Sequence, residues 1–122
     1  MKNVRVFDFL REMEMAYTIA DIIVSRAGAL SIAELSIVGK PVVFVPYPHA
    51  AEDHQTHNAM ALVSNNAAQI IKDSNVNDKL LEVVESLFEN KQLQNKLATN
   101  IKTFALKNAD VVIAKNILEL AA

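Results

Sequence analysis

Three short β-branched runs, "DIIVS" (21–25), "VVFVP" (42–46) and "AAQIIKD" (67–73), are separated by segments with helical spacing. No other feature constrains the fold as tightly. Each run is too brief for a helix and largely apolar at successive positions, which suits a strand buried on both faces rather than one with a wet side. "VRVFDF" (4–9) has the same character and precedes them. The order is therefore strand, helix, strand, helix, strand, helix, strand, followed by helices. Strict alternation with apolar strands implies an α/β fold, a parallel sheet with flanking helices on both faces.

The intervening segments support this reading. Leu10, Met13, Tyr17 and Ala20 are spaced by three and four, a helical stripe over 10–20. A second helix begins near Ala29, with Leu30, Ala33, Leu35, Ile37 and Val38 expected inward. Gly39 followed by Pro41 marks its end. Residues 47–53 form a proline-broken loop, and Asp53 is placed to cap a third helix. Three amphipathic helices are expected over 75–90, 91–106 and 108–122, with Leu80, Val83, Val84 and Leu87 forming the stripe of the first. So small a sheet cannot be covered by all three, and one is expected to pack elsewhere.

A length of 122 residues fits one domain with a real core. Apolar residues make up 52% of the chain, a high share that has two explanations: a sheet buried on both faces, or surface that a partner or further chain would cover. No apolar stretch approaches the ~18 residues of a membrane span, and the amino terminus has no secretory h-region. The absence of cysteine excludes disulfides, thiolate metal sites and a cysteine nucleophile. A net charge of −2 argues against nucleic acid as a partner. A cytoplasmic location is expected.

In an open parallel sheet, ligands lie beyond the carboxyl ends of the strands, so the loops there carry the functional reading. The first is "SRAGALS" (25–31), which holds one of the two glycines in the chain. Gly28 permits a tight turn and close ligand approach, and the helix behind it offers unpaired N–H groups and a positive dipole end. Ser31 adds a hydroxyl. Glu34, one turn on, suits a pair of sugar hydroxyls. The same residues also fit a plain capping box, with Ser31 and Glu34 in the S-x-x-E spacing. The second loop is "PYPHAAEDHQTHNA" (46–59), which contains all three histidines. His49, Glu52, Asp53, His54 and His57 bring a divalent metal to mind, but the spacing matches no ligand pattern. No G-x-S-x-G elbow supports a hydrolase. A stiff polar loop feeding side chains to a ligand and a solvated loop with a helix cap both remain open.

Taken together, "ADIIVSRAGALSIAELSIVGKPVVFVPYPHAAEDHQTHNA" closely resembles the donor-binding region of the bacterial lipid II-forming N-acetylglucosaminyltransferases, GT-B enzymes of glycosyltransferase family 28. The "S-R-A-G-A" turn, the "E-L…G-K-P" helix and stop, and "V-P-Y-P…D-H-Q-x-x-N-A" stand in that family's order. The resemblance implies a Rossmann-like sheet, the C-terminal half of a GT-B fold, with residues 1–122 as a partial, N-terminally truncated UDP-GlcNAc-binding domain. It implies that the backbone of Leu10 meets the uracil, and that Ala29, Leu30 and Ser31 hold the diphosphate. Glu34 would take the ribose hydroxyls, while His54 and Gln55 lie beside the GlcNAc hydroxyls. The family often has Gln where this chain has His54. Asp53 and Asn58 belong to the same loop as cap and orienting side chain, and Arg26 and Gly28 of the turn complete the expected donor-binding set.

The resemblance further implies that the acceptor, lipid I, and the membrane are met by an N-terminal domain outside this chain, at the cytoplasmic face of the inner membrane. The intact reaction is an inverting transfer in which a muramoyl C4 hydroxyl displaces UDP from GlcNAc C1. No metal or other cofactor is expected, no catalytic residue is assigned, and these 122 residues alone are expected to be inactive. A separate donor-binding subunit of a split transferase, or another UDP-sugar enzyme of GT-B architecture such as a UDP-GlcNAc 2-epimerase, are the alternatives.

Overall fold

The β-branched run at 42–46 becomes the middle of the sheet, because only a central strand can bury every one of its side chains. The structure, a computed structural model, describes residues 13–48 and 54–105. Within them β1 (Ile23–Ser25), β2 (Val42–Phe44) and β3 (Gln69–Ile70) form a sheet in the order β1-β2-β3. Both pairings are parallel, with Val24 beside Val43 and Phe44 beside Ile70. The expected parallel α/β architecture is thus observed. The expected strand at 4–9 and the helix at 108–122 lie outside the described residues.

Alternation along β2 divides the core into two layers. Val42 and Phe44 face a cluster with Ala27, Ile32, Leu35, Ala59, Leu62 and Ile101. Val43 and Val45 face the opposite side, among Ile71, Leu87 and Leu97. The first layer is supplied by α2 (Ala29–Val38) and α3 (His54–Val63), with Tyr17 of α1 (Met13–Ile19) packed against it. The second belongs to α4 (Val76–Glu89), whose Leu80, Val83 and Leu87 line it as the stripe predicts.

Residues 91–105 form a further helix that contributes Leu97 to one layer and Ile101 to the other. It shares a cleft with Asp21, Gly39 and Pro41, near the amino-terminal ends of β1 and β2. Its placement leaves the opposite, carboxyl-terminal edge of the sheet to the ligand loops.

Two local readings need correction. Leu30 and Ile37, expected inward, are 73% and 68% exposed, whereas Ile32, Leu35 and Ser36 face the core. The helix is apolar on nearly every side, so hydrophobic spacing cannot select its buried face. Ser36 is accommodated because its hydroxyl donates to the Ile32 carbonyl at 2.7 Å. The run at 67–73 is a strand only at Gln69–Ile70, and a 3₁₀ turn at Asp73–Asn75 leads into α4. The stop at Gly39 is as expected: φ +69° and ψ 42° place it in the left-handed region, and its N–H donates to Leu35 O. Asn66, also left-handed at φ 54°, closes the turn between α3 and β3.

Candidate functional site

Gly28 is the amino-terminal cap residue of α2, and its backbone explains less of its identity than the sequence implies. Its φ of −67° and ψ of 152° are open to any residue, so no tight glycine turn exists here. A Cβ would lie 3.8 Å from Gln55 Nε2, an ordinary contact. Among the described residues, neither strain nor crowding requires a glycine. The capping-box reading is also overturned. The helix starts at Ala29, which puts Ser31 within the first turn, and among the described residues no side chain caps the amino end. Among the described residues the first N–H groups of α2 therefore meet no acceptor from a capping side chain, at the positive end of the helix dipole.

Gln55 joins this mouth to the second loop. Its Oε1 accepts from the N–H of Ala27 at 3.3 Å and from the N–H of Tyr47 at 2.8 Å. One side-chain oxygen thus ties the segment after β1 to the segment after β2. The amide nitrogen on the same side chain is the group beside Gly28.

Arg26 lies on the other flank. Its Nη1 is 2.6 Å from Asp73 Oδ1, and it also reaches the carbonyls of Val45 at 3.3 Å and Pro46 at 3.5 Å. The guanidinium sits 5.5 Å from the centre of the Tyr47 ring. Nothing local in the sequence points to Asp73, which follows β3 and is 47 positions from Arg26. Only the parallel crossovers bring the two together.

Glu34 is about 9 Å along the α2 axis from Gly28 at 1.5 Å per residue. It lines a cavity of about 480 Å³ between α1 and α2, together with Tyr17, Thr18, Ile37, Val38 and Lys40. Burial, and secondarily the Glu34 carboxylate, push the Tyr17 phenol above its ordinary range. Tyr17 was identified from the sequence only as part of a helical stripe. In the fold it lines the same cavity as Glu34.

The structure therefore brings Arg26, Gly28 and Gln55 together with Tyr47, while Ser31 and Glu34 extend the same surface along α2. His54 is exposed in the first turn of α3, and Asn58 is half-buried one turn on. Leu10, His49, Glu52 and Asp53 lie outside the described residues. Among the described residues, no three His, Asp or Glu side chains converge as a metal site would need. No helix there is long and apolar enough to cross a membrane.

Residues 1–115 match the glycosyltransferase family 28 C-terminal domain. The chain is 48% identical over 119 residues to the UDP-N-acetylglucosamine–N-acetylmuramyl-(pentapeptide) pyrophosphoryl-undecaprenol N-acetylglucosamine transferase of Cytophaga hutchinsonii, covering 98% of this chain and 32% of that protein. It is 45% identical to the protein of the same description from Flavobacterium psychrophilum, again over 98% and 32%. A crystal structure of Acinetobacter baumannii MurG superposes with a TM-score of 0.72 at 35% identity, over 91% of this chain and 33% of that one. The chain spans about a third of the length of these relatives.

Proposed function

The chain belongs to the family of glycosyltransferase family 28 C-terminal domains, and from that membership we propose that its strand-end loops bind UDP-N-acetylglucosamine, the donor in the names of its relatives. One observation carries the reading: among the described residues, α2 presents an uncapped amino end behind a glycine that neither strain nor crowding requires. A diphosphate is the ligand such an end suits, since it accepts several N–H bonds and sits at the positive dipole. Ala29, Leu30 and Ser31 supply the backbone donors, and the Ser31 hydroxyl adds another.

The remaining residues fit the two ends of such a donor. Glu34, about one and a half turns along the helix, accepts the ribose hydroxyls. The cavity it shares with Tyr17 receives the nucleoside end. On the other side His54, Gln55 and Asn58 of α3 meet the sugar hydroxyls, and the Gln55 amide nitrogen beside Gly28 stands at the junction. When an acceptor hydroxyl attacks the sugar C1, the bond to UDP breaks and negative charge grows on the diphosphate. Preorganised N–H groups at the α2 mouth stabilise that charge more than the ground state. In the complete enzyme this is a hexosyl transfer to the muramyl-pyrophosphoryl-undecaprenol acceptor, at the membrane face where that lipid resides.

Titration calorimetry with UDP-GlcNAc tests the reading. Glu34→Ala is expected to weaken binding by about 1.5–3 kcal/mol, the scale of hydrogen bonds to a charged group. Unchanged affinity in that variant, or equal affinity for ADP and UDP-GlcNAc in the parent chain, refutes it.

A further inference from the structure

The strands of the sheet end side by side, and the chemistry after each of them meets at Arg26. Arg26 itself follows β1. The carbonyls of Val45 and Pro46 and the ring of Tyr47, all after β2, lie against its guanidinium, as does the carboxylate of Asp73, after β3. The contact to Asp73 is the short one at 2.6 Å, so the carboxylate decides where the fork points. From there the segment 45–47 is held between two fixtures, with Arg26 on its carbonyls and Gln55 Oε1 on the Tyr47 N–H. The same Gln55 oxygen holds Ala27, immediately before Gly28.

We infer that Asp73 is a positioning residue: by aiming Arg26 at the Val45 and Pro46 carbonyls it sets the loop that, through Gln55, frames the mouth of α2. Arg26 on this account orders the mouth and gives no bond to the donor. The inference rests on the donor-site reading above. Its physical basis is the contrast between geometry and energy. The side chains of Arg26 and Asp73 are 50% and 35% exposed, and an ion pair that open contributes little to global stability. Its effect is therefore local: it restricts one loop, and a loop left unrestrained must be ordered when a ligand binds.

The test uses the full chain with Asp73→Asn, Arg26→Lys, the double variant and Asp73→Glu. Amide hydrogen exchange, the thermal midpoint and UDP-GlcNAc affinity are measured for each. The N–H groups of Ala27 and Tyr47 are expected to exchange faster in both single variants, no faster in the double variant, and near the parent rate in Asp73→Glu. Melting should hardly move. Affinity should fall about 2- to 12-fold, the ordering cost of one immobilised rotamer-rich side chain. Unchanged exchange at Ala27 and Tyr47 overturns the inference, as does faster exchange throughout the chain with a lower midpoint. Altered exchange with unchanged affinity also overturns it, because the loop would then not frame the donor. Failure of the parent chain to bind UDP-GlcNAc refutes the donor reading instead, and exchange still decides whether Asp73 sets the loop.

Discussion

Replacing Gly28 with alanine separates what the fold needs from what a ligand needs. The backbone at φ −67°, ψ 152° accepts alanine without strain, and among the described residues the new Cβ meets only Gln55 Nε2, at 3.8 Å. Alanine is a poorer amino-terminal cap than glycine, a loss of roughly 0.5–1 kcal/mol. Against this, removing glycine from the unfolded chain returns about 0.4–1 kcal/mol. The two offset one another, so stability should stay within about 0.5 kcal/mol and the melting midpoint within roughly 1–3 °C. The bound state has no such compensation. On the proposed reading, a methyl group beside Gln55 stands where the diphosphate comes to reach the N–H groups of α2. Losing even one charge-assisted hydrogen bond costs about 1.5–3 kcal/mol, or roughly tenfold or more in Kd. Calorimetry with UDP-GlcNAc beside a thermal melt reads both quantities on one sample. An affinity within twofold of the parent would refute the diphosphate assignment at α2. A loss of stability above about 2 kcal/mol would refute the claim that the fold tolerates a side chain there.

Gly39→Ala should behave in the opposite way, lowering stability by about 1–2 kcal/mol in denaturant melts, because φ is +69° and a Cβ would run into the Lys102 side chain. Gln94→Ala removes a buried amide that donates to the carbonyls of Leu87 and Phe88 at the end of α4, and a loss of about 1–3 kcal/mol is expected by the same measurement. Tyr17 titrates above the ordinary phenol because of burial and then Glu34, so the folded state favours its neutral form. The stability this represents is complete below the ordinary pKa of about 10 and is lost as pH rises through the folded value. In a Tyr47→Phe background, ultraviolet titration should show the Tyr17 phenol moving back toward its ordinary range in Glu34→Gln. No movement would exclude the carboxylate as a cause.

Much of this architecture is readable from residue order. The run at 42–46 announces a buried strand, and Gly39 with Pro41 announces the end of α2, because each signal is a property of a few adjacent residues. The residues of the proposed donor site stand out for the same reason: Gly28, Ser31 and Glu34 lie within a single short segment, as do His54, Gln55 and Asn58. The orientation of α2 is not readable. Leu30 and Ile37 are as apolar as Ile32 and Leu35, and only the position of the sheet decides which pair is covered.

Local spacing and composition alone thus suffice for the α/β class and the element order. Tertiary structure decided the purpose of individual residues. It removed the conformational reason for Gly28 and dissolved the Ser31–Glu34 cap. It also placed the Tyr17 phenol under the influence of Glu34 and joined Arg26 to Asp73 across 47 positions. These are facts of parallel crossover geometry, which brings successive strand ends to one edge while the residues that meet there stay far apart in the chain.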